Sequence, residues 1–153
     1  MNGTITNRIT YRLSGDYRRK WVAKKIEYID VPNEELKETN NLVLQEAKTQ
    51  ILEYLEGKRR SFTVPYKSEG TSFQQSVWTT LLSVPYGETV SYQDIAVMMN
   101  KPKSVRAVGQ ASRRNPLPLL IPCHRVIGKN KSLVGYAGDK VDKKQFLLEL
   151  EKK

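Results

Sequence analysis

Residues 115–128 read NPLPLLIPCHRVIG, and this stretch is the most informative segment of the chain. Three prolines constrain its path, and each proline forces the residue before it toward extended backbone. The stretch therefore presents Cys123 on stiff backbone at the end of an apolar run. Stiff backbone holds a side chain in a fixed position, so this cysteine is a candidate nucleophile.

His124 follows Cys123 directly, and the chain has one cysteine and one histidine. A thiol reacts as its thiolate, which a nearby imidazole or cation favours. In extended backbone, adjacent side chains point to opposite faces, so contact between these two needs a turn or a bridging water, and extended backbone with a bridging water is favoured. A lone cysteine is more often a small buried hydrophobe, and a lone histidine a core residue, but their adjacency in a rigid basic segment favours chemistry.

Arg125 has two interpretations. It is either a cation beside the thiolate or one member of a structural ion pair. The ion pair is favoured because arginine forms bidentate pairs with carboxylates. An acid from residues 1–67 is the expected partner, and such a pair would tie the two halves of the chain together.

The charge of the chain indicates its partner. Its 153 residues fit one domain or two small ones, and 26 Lys and Arg against 16 Asp and Glu give a net charge of +10. This balance favours a polyanion such as nucleic acid, with an anionic membrane surface as the alternative. No acidic residue occurs between Asp94 and Asp139, although many basic ones do, so a polyanion would meet the protein there.

The sequence also limits the compartment and the possible metal sites. It has no run of 18 apolar residues, and its first residues lack the apolar stretch of a signal peptide. A cytoplasmic protein is expected, associated with the nucleoid when bound to DNA. A single cysteine forms no internal disulfide and no thiolate metal cluster within one chain.

The first third of the chain predicts strands. Residues 4–13 and 22–31 carry β-branched and aromatic side chains around a turn expected at Ser14-Gly15-Asp16. This pattern predicts a β-hairpin.

Helical spacing then replaces the strand pattern. A helix is predicted over residues 34–56, with Asn33 capping its start and Gly57 its end. A second helix is predicted from Ser72 to the turn at residues 84–87. The apolar positions that define the first helix are Leu36, Val43, Ala47, Ile51 and Leu55.

Two further helices follow closely. Ser91 and Asp94 resemble a capping box that opens a helix through Met99. Ser104 can cap another helix that runs to about Arg113. Two short helices joined by a turn of a few residues are a helix-turn-helix candidate.

The second of these helices has a small, basic surface. Small residues would let its backbone approach a phosphate chain closely, but they would equally allow close packing against another helix. Gly109 inside a helix costs about 1 kcal/mol relative to alanine, which requires a reason beyond propensity. The small residues are Ser104, Ala107, Gly109, Ala111 and Ser112, and the flanking cations are Arg106, Arg113 and Arg114.

The segment IPCHRV, residues 121–126, matches at every position the active-site motif of the O6-alkylguanine-DNA alkyltransferases, also called methylated-DNA–protein-cysteine methyltransferases. The chain resembles this family from about Ser72 to Glu151, whereas residues 1–67 match only in layout. The other matching segments are residues 90–93, 106–109, 115–116, 135–136 and 147–151.

The resemblance implies two domains. Residues 1–67 would form an α/β domain, ribonuclease H-like, with an antiparallel sheet and a helix. Residues 68–153 would form a mostly α-helical domain, winged-helix-like, that holds both the helix-turn-helix and the reactive cysteine.

The resemblance also implies the chemistry. Cys123 would accept the alkyl group of O6-alkylguanine as a thioether, so that one protein molecule repairs one lesion and is consumed. His124 would take the thiol proton through a water and would be oriented by Glu151. Asn115 would brace the active-site turn.

The same family positions imply a pocket for the guanine. Tyr136 would donate a hydrogen bond to the leaving purine. Pro118, Val126 and Gly138 would supply wall and backbone contacts, and Ala137 replaces a serine that is common beside the pocket.

For DNA binding, the resemblance implies that residues 104–113 are the recognition helix of the helix-turn-helix and that this helix enters the minor groove. Arg106 would fill the gap left by the extruded nucleotide, and Tyr92 would crowd the nucleotide's phosphate. Gln110 stands where relatives often have a small residue. The expected DNA contacts are Tyr92, Ser104, Arg106, Ala107, Gly109 and Arg113.

The expected partner is double-stranded DNA carrying O6-alkylguanine or O4-alkylthymine, bound by a monomer without cofactor or metal. No zinc is expected, because the chain lacks the cysteines and histidines that bind it in some relatives. Three alternatives remain. They are a lesion-binding protein that does not repair, which would lack the cysteine; a Cys-His hydrolase; and a helix-turn-helix regulator in which Cys123 is inert.

Overall fold

The chain divides into two compact units, Met1–Ser68 and Glu69–Lys153. The computed structural model describes residues 2–6, 9–17, 21–28, 42–128 and 141–153. Within these ranges, no helix has both the length and the apolar character needed to cross a membrane.

Three strands form the sheet of the first unit. They are β1 (Asn2–Thr6), β2 (Ile9–Tyr17) and β3 (Trp21–Tyr28), paired antiparallel in the order β1-β2-β3. The turn expected at Ser14-Gly15-Asp16 is wrong, because these residues lie inside β2 and the pairing register shifts between Ser14 and Gly15. A glycine inside a strand often marks such an irregularity, so the turn signal indicated a bulge.

Helix α1 (Leu42–Leu55) packs against the sheet. Its predicted end is confirmed, since Gly57 adopts φ 78° and its N–H donates to the carbonyl of Tyr54. The predicted start, with Asn33 and residues 34–41, lies outside the described residues. The buried apolar residues of α1 are Leu44, Ala47, Ile51, Tyr54 and Leu55.

Three short helices form the core of the second unit. They are α2 (Ser72–Leu81), α3 (Tyr92–Met98) and α4 (Val105–Arg113), and each packs against the other two. The indole Nε1 of Trp78 donates to the carbonyl of Ala111 at 2.9 Å, which ties α2 to α4. The expected pair of short helices joined by a turn is present as α3 and α4.

The ends of α3 agree with the local sequence signals, whereas the expected cap of α4 does not. The capping box of Ser91 and Asp94 is confirmed at the start of α3. Asn100, at φ 59°, ends α3, and the N–H of Lys101 donates back to the carbonyl of Ala96. The expected side-chain cap of Ser104 is wrong, because Ser104 has φ −98° and ψ 21° and makes no capping hydrogen bond. Side-chain capping generally uses an extended residue.

A parallel pair of two-residue strands and a last helix complete the second unit. β4 (Val90–Ser91) pairs with β5 (Val126–Ile127), and α5 (Val141–Glu151) packs against the turn that precedes β5. The turn that carries Cys123 packs against α2 and α5.

Candidate active site

Cys123 begins a single turn of 3-10 helix, Cys123–Arg125. The extended geometry expected here is therefore wrong, since the N–H of Arg125 donates to the carbonyl of Pro122 at 3.0 Å and closes the turn. A turn removes the opposite-face arrangement that extended backbone would impose on Cys123 and His124. The cysteine is buried, with 3% of its surface exposed.

The loop before this turn is held by Asn115. Its amide Nδ2 donates to the carbonyl of Ile121 at 2.8 Å, and its Oδ1 accepts from the N–H of Leu117 at 2.9 Å. Leu119 adopts φ 78°, a left-handed conformation that leucine rarely takes. Surrounding contacts must hold such a residue, and the Asn115 side chain supplies two of them across the loop.

Glu151, the last residue of α5, joins three parts of the site. Its Oε1 lies 2.8 Å from Nε2 of His124, and Nη2 of Arg125 donates to the same oxygen at 2.9 Å. Its Oε2 accepts from Nε of Arg125 at 3.0 Å and from the N–H of Gly87 at 3.2 Å. Both carboxylate oxygens are therefore engaged in the interior.

The partner of Arg125 differs from the expectation. An acid from residues 1–67 was expected, but the carboxylate is that of Glu151, within the same unit. Nη1 of Arg125 also donates to the carbonyl of Val84 at 2.8 Å, and the guanidinium lies 5.6 Å from the ring centroid of Tyr86. Arg125 therefore anchors the turn to the loop after α2.

The electrostatics of the site favour a neutral His124. Burial lowers the pKa of His124 below its ordinary value of 6.5, and the positive charges of Arg125 and Lys144 lower it further. Glu151 acts in the opposite direction through its hydrogen bond and its charge. A carboxylate that accepts from Nε2 fixes the tautomer in which Nδ1 is the basic nitrogen.

Lys144 belongs to the site although sequence reasoning missed it. It lies on α5, is completely buried, and donates from Nζ to the carbonyl of Val126. Its Nζ also lies 5.8 Å from the ring centroid of Tyr92. Burial raises the pKa of Tyr92, and the negative charge of Cys123 raises it further. Tyr92 and Lys144 therefore lie close together, next to the strand that follows the turn of Cys123.

The outer surface of α4 is open. A methyl group built on Gly109 would meet no described atom outside its own helix backbone and its chain neighbours within 4 Å. Close packing against another helix therefore does not explain this glycine. Arg106, Ala107 and Arg113 are exposed on the same helix, whereas Val108 is buried.

A groove of about 680 Å³ runs between the start of α2 and α4. Three of its described lining residues are cations, and none is an acid. We call it the basic groove, and it also includes Ser104. The three cations that line it are Lys103, Arg106 and Arg114.

The predicted guanine pocket is only partly described. Pro118 and Val126 are both buried beside the active-site turn. Tyr136, Ala137 and Gly138 lie outside the described residues.

Two protein-family models match the chain. The DNA binding domain of 6-O-methylguanine DNA methyltransferase matches residues 72–153, and the ribonuclease-like domain of the same protein matches residues 19–67. These matches confirm the expected combination of a ribonuclease-like N-terminal part and a DNA-binding C-terminal part.

Relatives of known name cover most of the chain. The constitutive methylated-DNA–protein-cysteine methyltransferase of Bacillus subtilis is 56% identical over 122 residues, which are 80% of this chain and 73% of that protein. A methylated-DNA–protein-cysteine methyltransferase of Methanosarcina barkeri is 50% identical over 112 residues, which are 73% and 70% of the two chains.

Among solved structures, Mycobacterium tuberculosis OGT in complex with DNA superposes with a TM-score of 0.82 at 36% sequence identity. The match covers 97% of this chain and 90% of that one. The structural likeness thus extends over nearly the whole chain.

Proposed function

The chain belongs to the 6-O-methylguanine DNA methyltransferase family, and from this premise we propose that it repairs alkylated DNA by moving the alkyl group of O6-alkylguanine to its own Cys123. The observation that carries the proposal is the hydrogen bond of 2.8 Å between His124 and Glu151, beside the turn that holds the cysteine. This bond orients a neutral imidazole next to the only thiol of the chain.

The first step moves a proton. Because Nε2 of His124 is held by Glu151, Nδ1 is the nitrogen that accepts the thiol proton of Cys123, directly or through a water. A neutral imidazole is required for this step, and the lowered pKa of His124 provides that form at neutral pH.

The second step transfers the alkyl group. The thiolate attacks the alkyl carbon, a C–S bond forms, and the bond between that carbon and O6 breaks. The electron pair of the broken bond stays on the purine oxygen, and the proton held by His124 passes to the purine. Guanine is restored, and atoms and electrons balance without a co-reactant. O4-alkylthymine offers the same kind of exocyclic O-alkyl bond.

Each molecule would act once. A thioether is not opened by thiol exchange, and the chain has one cysteine, so no second thiol resolves the product. Transfer is therefore stoichiometric, with alkylated protein as the end product.

The reacting base must leave the helix, because a thiolate cannot reach O6 inside stacked DNA. We place the recognition surface on α4, where Gly109 lets the DNA backbone approach and Arg106 is exposed to enter the stack from the minor groove. Lys103 and Arg114 of the basic groove would contact phosphates on the same face. Tyr92, half-buried and close to Lys144, would crowd the rotated nucleotide.

The function is tested by the intact mass of the protein after incubation with duplex DNA carrying O6-methylguanine. We expect one added methyl group on Cys123, never more product than protein, and no addition to Cys123→Ser. Repeated turnover would instead indicate a hydrolase. Tight binding to the lesion with an unchanged mass would indicate a lesion-binding protein or a regulator.

The extrusion step gives a separate prediction. Replacing Arg106 with alanine should slow repair of duplex DNA by about 10- to 100-fold, because extrusion costs a few kcal/mol. Reaction with free O6-benzylguanine should hardly change. The measurement is the single-turnover rate with each substrate.

Arg114→Ala is the matched control, since Arg114 is a second exposed arginine that lines the same groove. This variant should weaken DNA binding but leave the rate at saturating DNA unchanged. Equal losses of Arg106→Ala on duplex and free base would contradict a role in extrusion.

A further inference from the structure

Gln110 differs from the other exposed residues of α4 in its hydrogen-bonding groups. The exposed residues of this helix are Arg106, Ala107, Gln110 and Arg113. An arginine side chain donates hydrogen bonds but accepts none, and an alanine side chain does neither, whereas glutamine carries two N–H donors and a carbonyl acceptor. Gln110 is therefore the one exposed side chain of α4 that can accept a hydrogen bond.

The amide of Gln110 is available to a partner. It lines the basic groove together with Arg106, and within the described part of the chain it makes no hydrogen bond. Thr71 and Gln74 also line the groove, but each side-chain oxygen already accepts from the backbone N–H of the other residue. Ser104 keeps a hydroxyl, but it lies two residues before Arg106 and therefore faces a different side of the helix.

The position of Gln110 brings its amide close to the place where the nucleotide leaves the stack. Gln110 follows Arg106 by four residues, so the two side chains share one face of α4, about 6 Å apart along the helix axis. Base pairs are spaced by about 3.4 Å, so this distance corresponds to about two base pairs. Gly109 directly precedes Gln110, and the open space around this glycine lets DNA approach α4 closely here.

The minor groove contains one group that only an acceptor can recognise. A·T pairs present acceptors alone in this groove, whereas G·C pairs add the N2 amino donor of guanine. The cations of the basic groove can bind the acceptors of either pair, but they cannot accept from the amino group. Oε1 of Gln110 can accept from N2 while Nε2 donates to a nearby N3 or O2. A contact of this kind distinguishes the two classes of base pair.

We propose that Gln110 is a specificity-determining residue that recognises a G·C pair one or two positions from the alkylated base, through a hydrogen bond from guanine N2 to its Oε1. The proposal rests on the proposed function, because it takes α4 as the surface that enters the minor groove. Two simpler roles make different predictions. A glutamine that only contacts phosphate would strengthen binding equally on every duplex, and one that is only solvated would not affect binding.

The test is the dissociation constant of Cys123→Ser, which forms the complex without alkyl transfer, for duplexes that carry one O6-methylguanine, at fixed salt. Inosine replaces guanine in turn at the first and second pairs on either side of the lesion, in either strand, which removes only the N2 amino group. We expect one of these replacements to weaken binding at least about fivefold, the lower end of what one good base contact contributes. At the same position, 2,6-diaminopurine opposite thymine supplies the amino group and should bind more tightly than adenine.

The matched variant is Gln110→Met in the same Cys123→Ser protein, which keeps the length of the side chain and removes both hydrogen-bonding groups. The inosine effect should then fall below about twofold, the range within which independent changes are additive. Gln145→Met, the same change at an exposed glutamine of α5, should keep the full effect. Comparison between the variants cancels any change that inosine itself makes to DNA stacking or pairing.

Three results would overturn the proposal. They are an inosine effect that is the same with and without Gln110, no inosine effect at any tested position, and a loss in Gln110→Met that is equal on all duplexes. If alkyl transfer to the unchanged protein occurs alongside any of these results, only the recognition by Gln110 is refuted. If neither binding nor transfer occurs, the proposed function is refuted as well.

Discussion

Replacing Glu151 with glutamine should lower the free energy of unfolding by about 3–5 kcal/mol, the usual cost of removing one member of a buried ion pair. The carboxylate serves His124, Arg125 and Gly87 at once. Glutamine has the same shape, but it leaves the buried Arg125 without a counter-charge and offers one acceptor oxygen in place of two. The measurement is urea-induced unfolding at neutral pH, monitored by tryptophan fluorescence.

Glu149→Gln is the matched control on the same helix. Glu149 is exposed and accepts a hydrogen bond from Gln145 at 2.8 Å, a contact that glutamine can keep. Its effect should stay within about 0.5 kcal/mol, as for most surface substitutions. Equal stability losses in the two variants would mean that the network around Glu151 does not stabilise the fold.

The residues of α5 that contact the active-site turn were the hardest part of the site to predict from the sequence. Cys123 and His124 could be predicted because they are the one cysteine and the one histidine of the chain and are adjacent. Glu151 was predicted only from the family resemblance. One sequence pattern could have found both Lys144 and Glu151, the buried base and the buried acid of α5. Lys144, Leu147, Leu148 and Glu151 follow the i, i+3, i+4, i+7 spacing of one helical face, and all four are buried. Charged residues at both ends of an apolar stripe predict an interior electrostatic site.

Local signals predicted helix boundaries better than strand connections. Ser91 and Gly57 act within one turn of backbone, so their residue types suffice to place a helix end. Gly15 permits either a turn or a bulge, and the choice depends on pairing with a distant strand. Ser104 is a favourable capping residue by type, but its backbone conformation at the start of α4 does not suit a side-chain cap.

The partner of Arg125 illustrates the same limit. Its residue type correctly indicated an ion pair, but 16 acids in the chain could have supplied the carboxylate. Which acid reaches it depends on where α5 ends in space, which no short segment encodes. For Gly109, in contrast, the local sequence was sufficient, because a glycine inside a helix destabilises it relative to alanine and so requires an explanation. The open space around Gly109 in the structure favours a partner outside the described residues.

Replacing His124 with glutamine should slow alkyl transfer by about 10²- to 10⁴-fold, the usual contribution of a general base. Glutamine can still donate to Glu151, so the buried carboxylate keeps a partner, but glutamine cannot accept the thiol proton. The measurement is the single-turnover rate with duplex DNA carrying O6-methylguanine. DNA affinity and melting temperature, measured in parallel, should change little, and a rate within a few-fold of the unchanged protein would exclude His124 as the base.

The pH dependence of the unchanged protein provides an independent check of the same role. Because burial lowers the pKa of His124 below 6.5, the neutral imidazole persists through neutral pH, and the base is lost only as pH falls below 6.5. The transfer rate should therefore decline in that acidic range and not near pH 7. Since the chain has a single histidine, NMR of its ring nitrogens reports this titration without mutation. A ring that titrates above 6.5, or that carries its proton on Nδ1 at neutral pH, would contradict the proton path, because Nδ1 could then no longer accept the thiol proton.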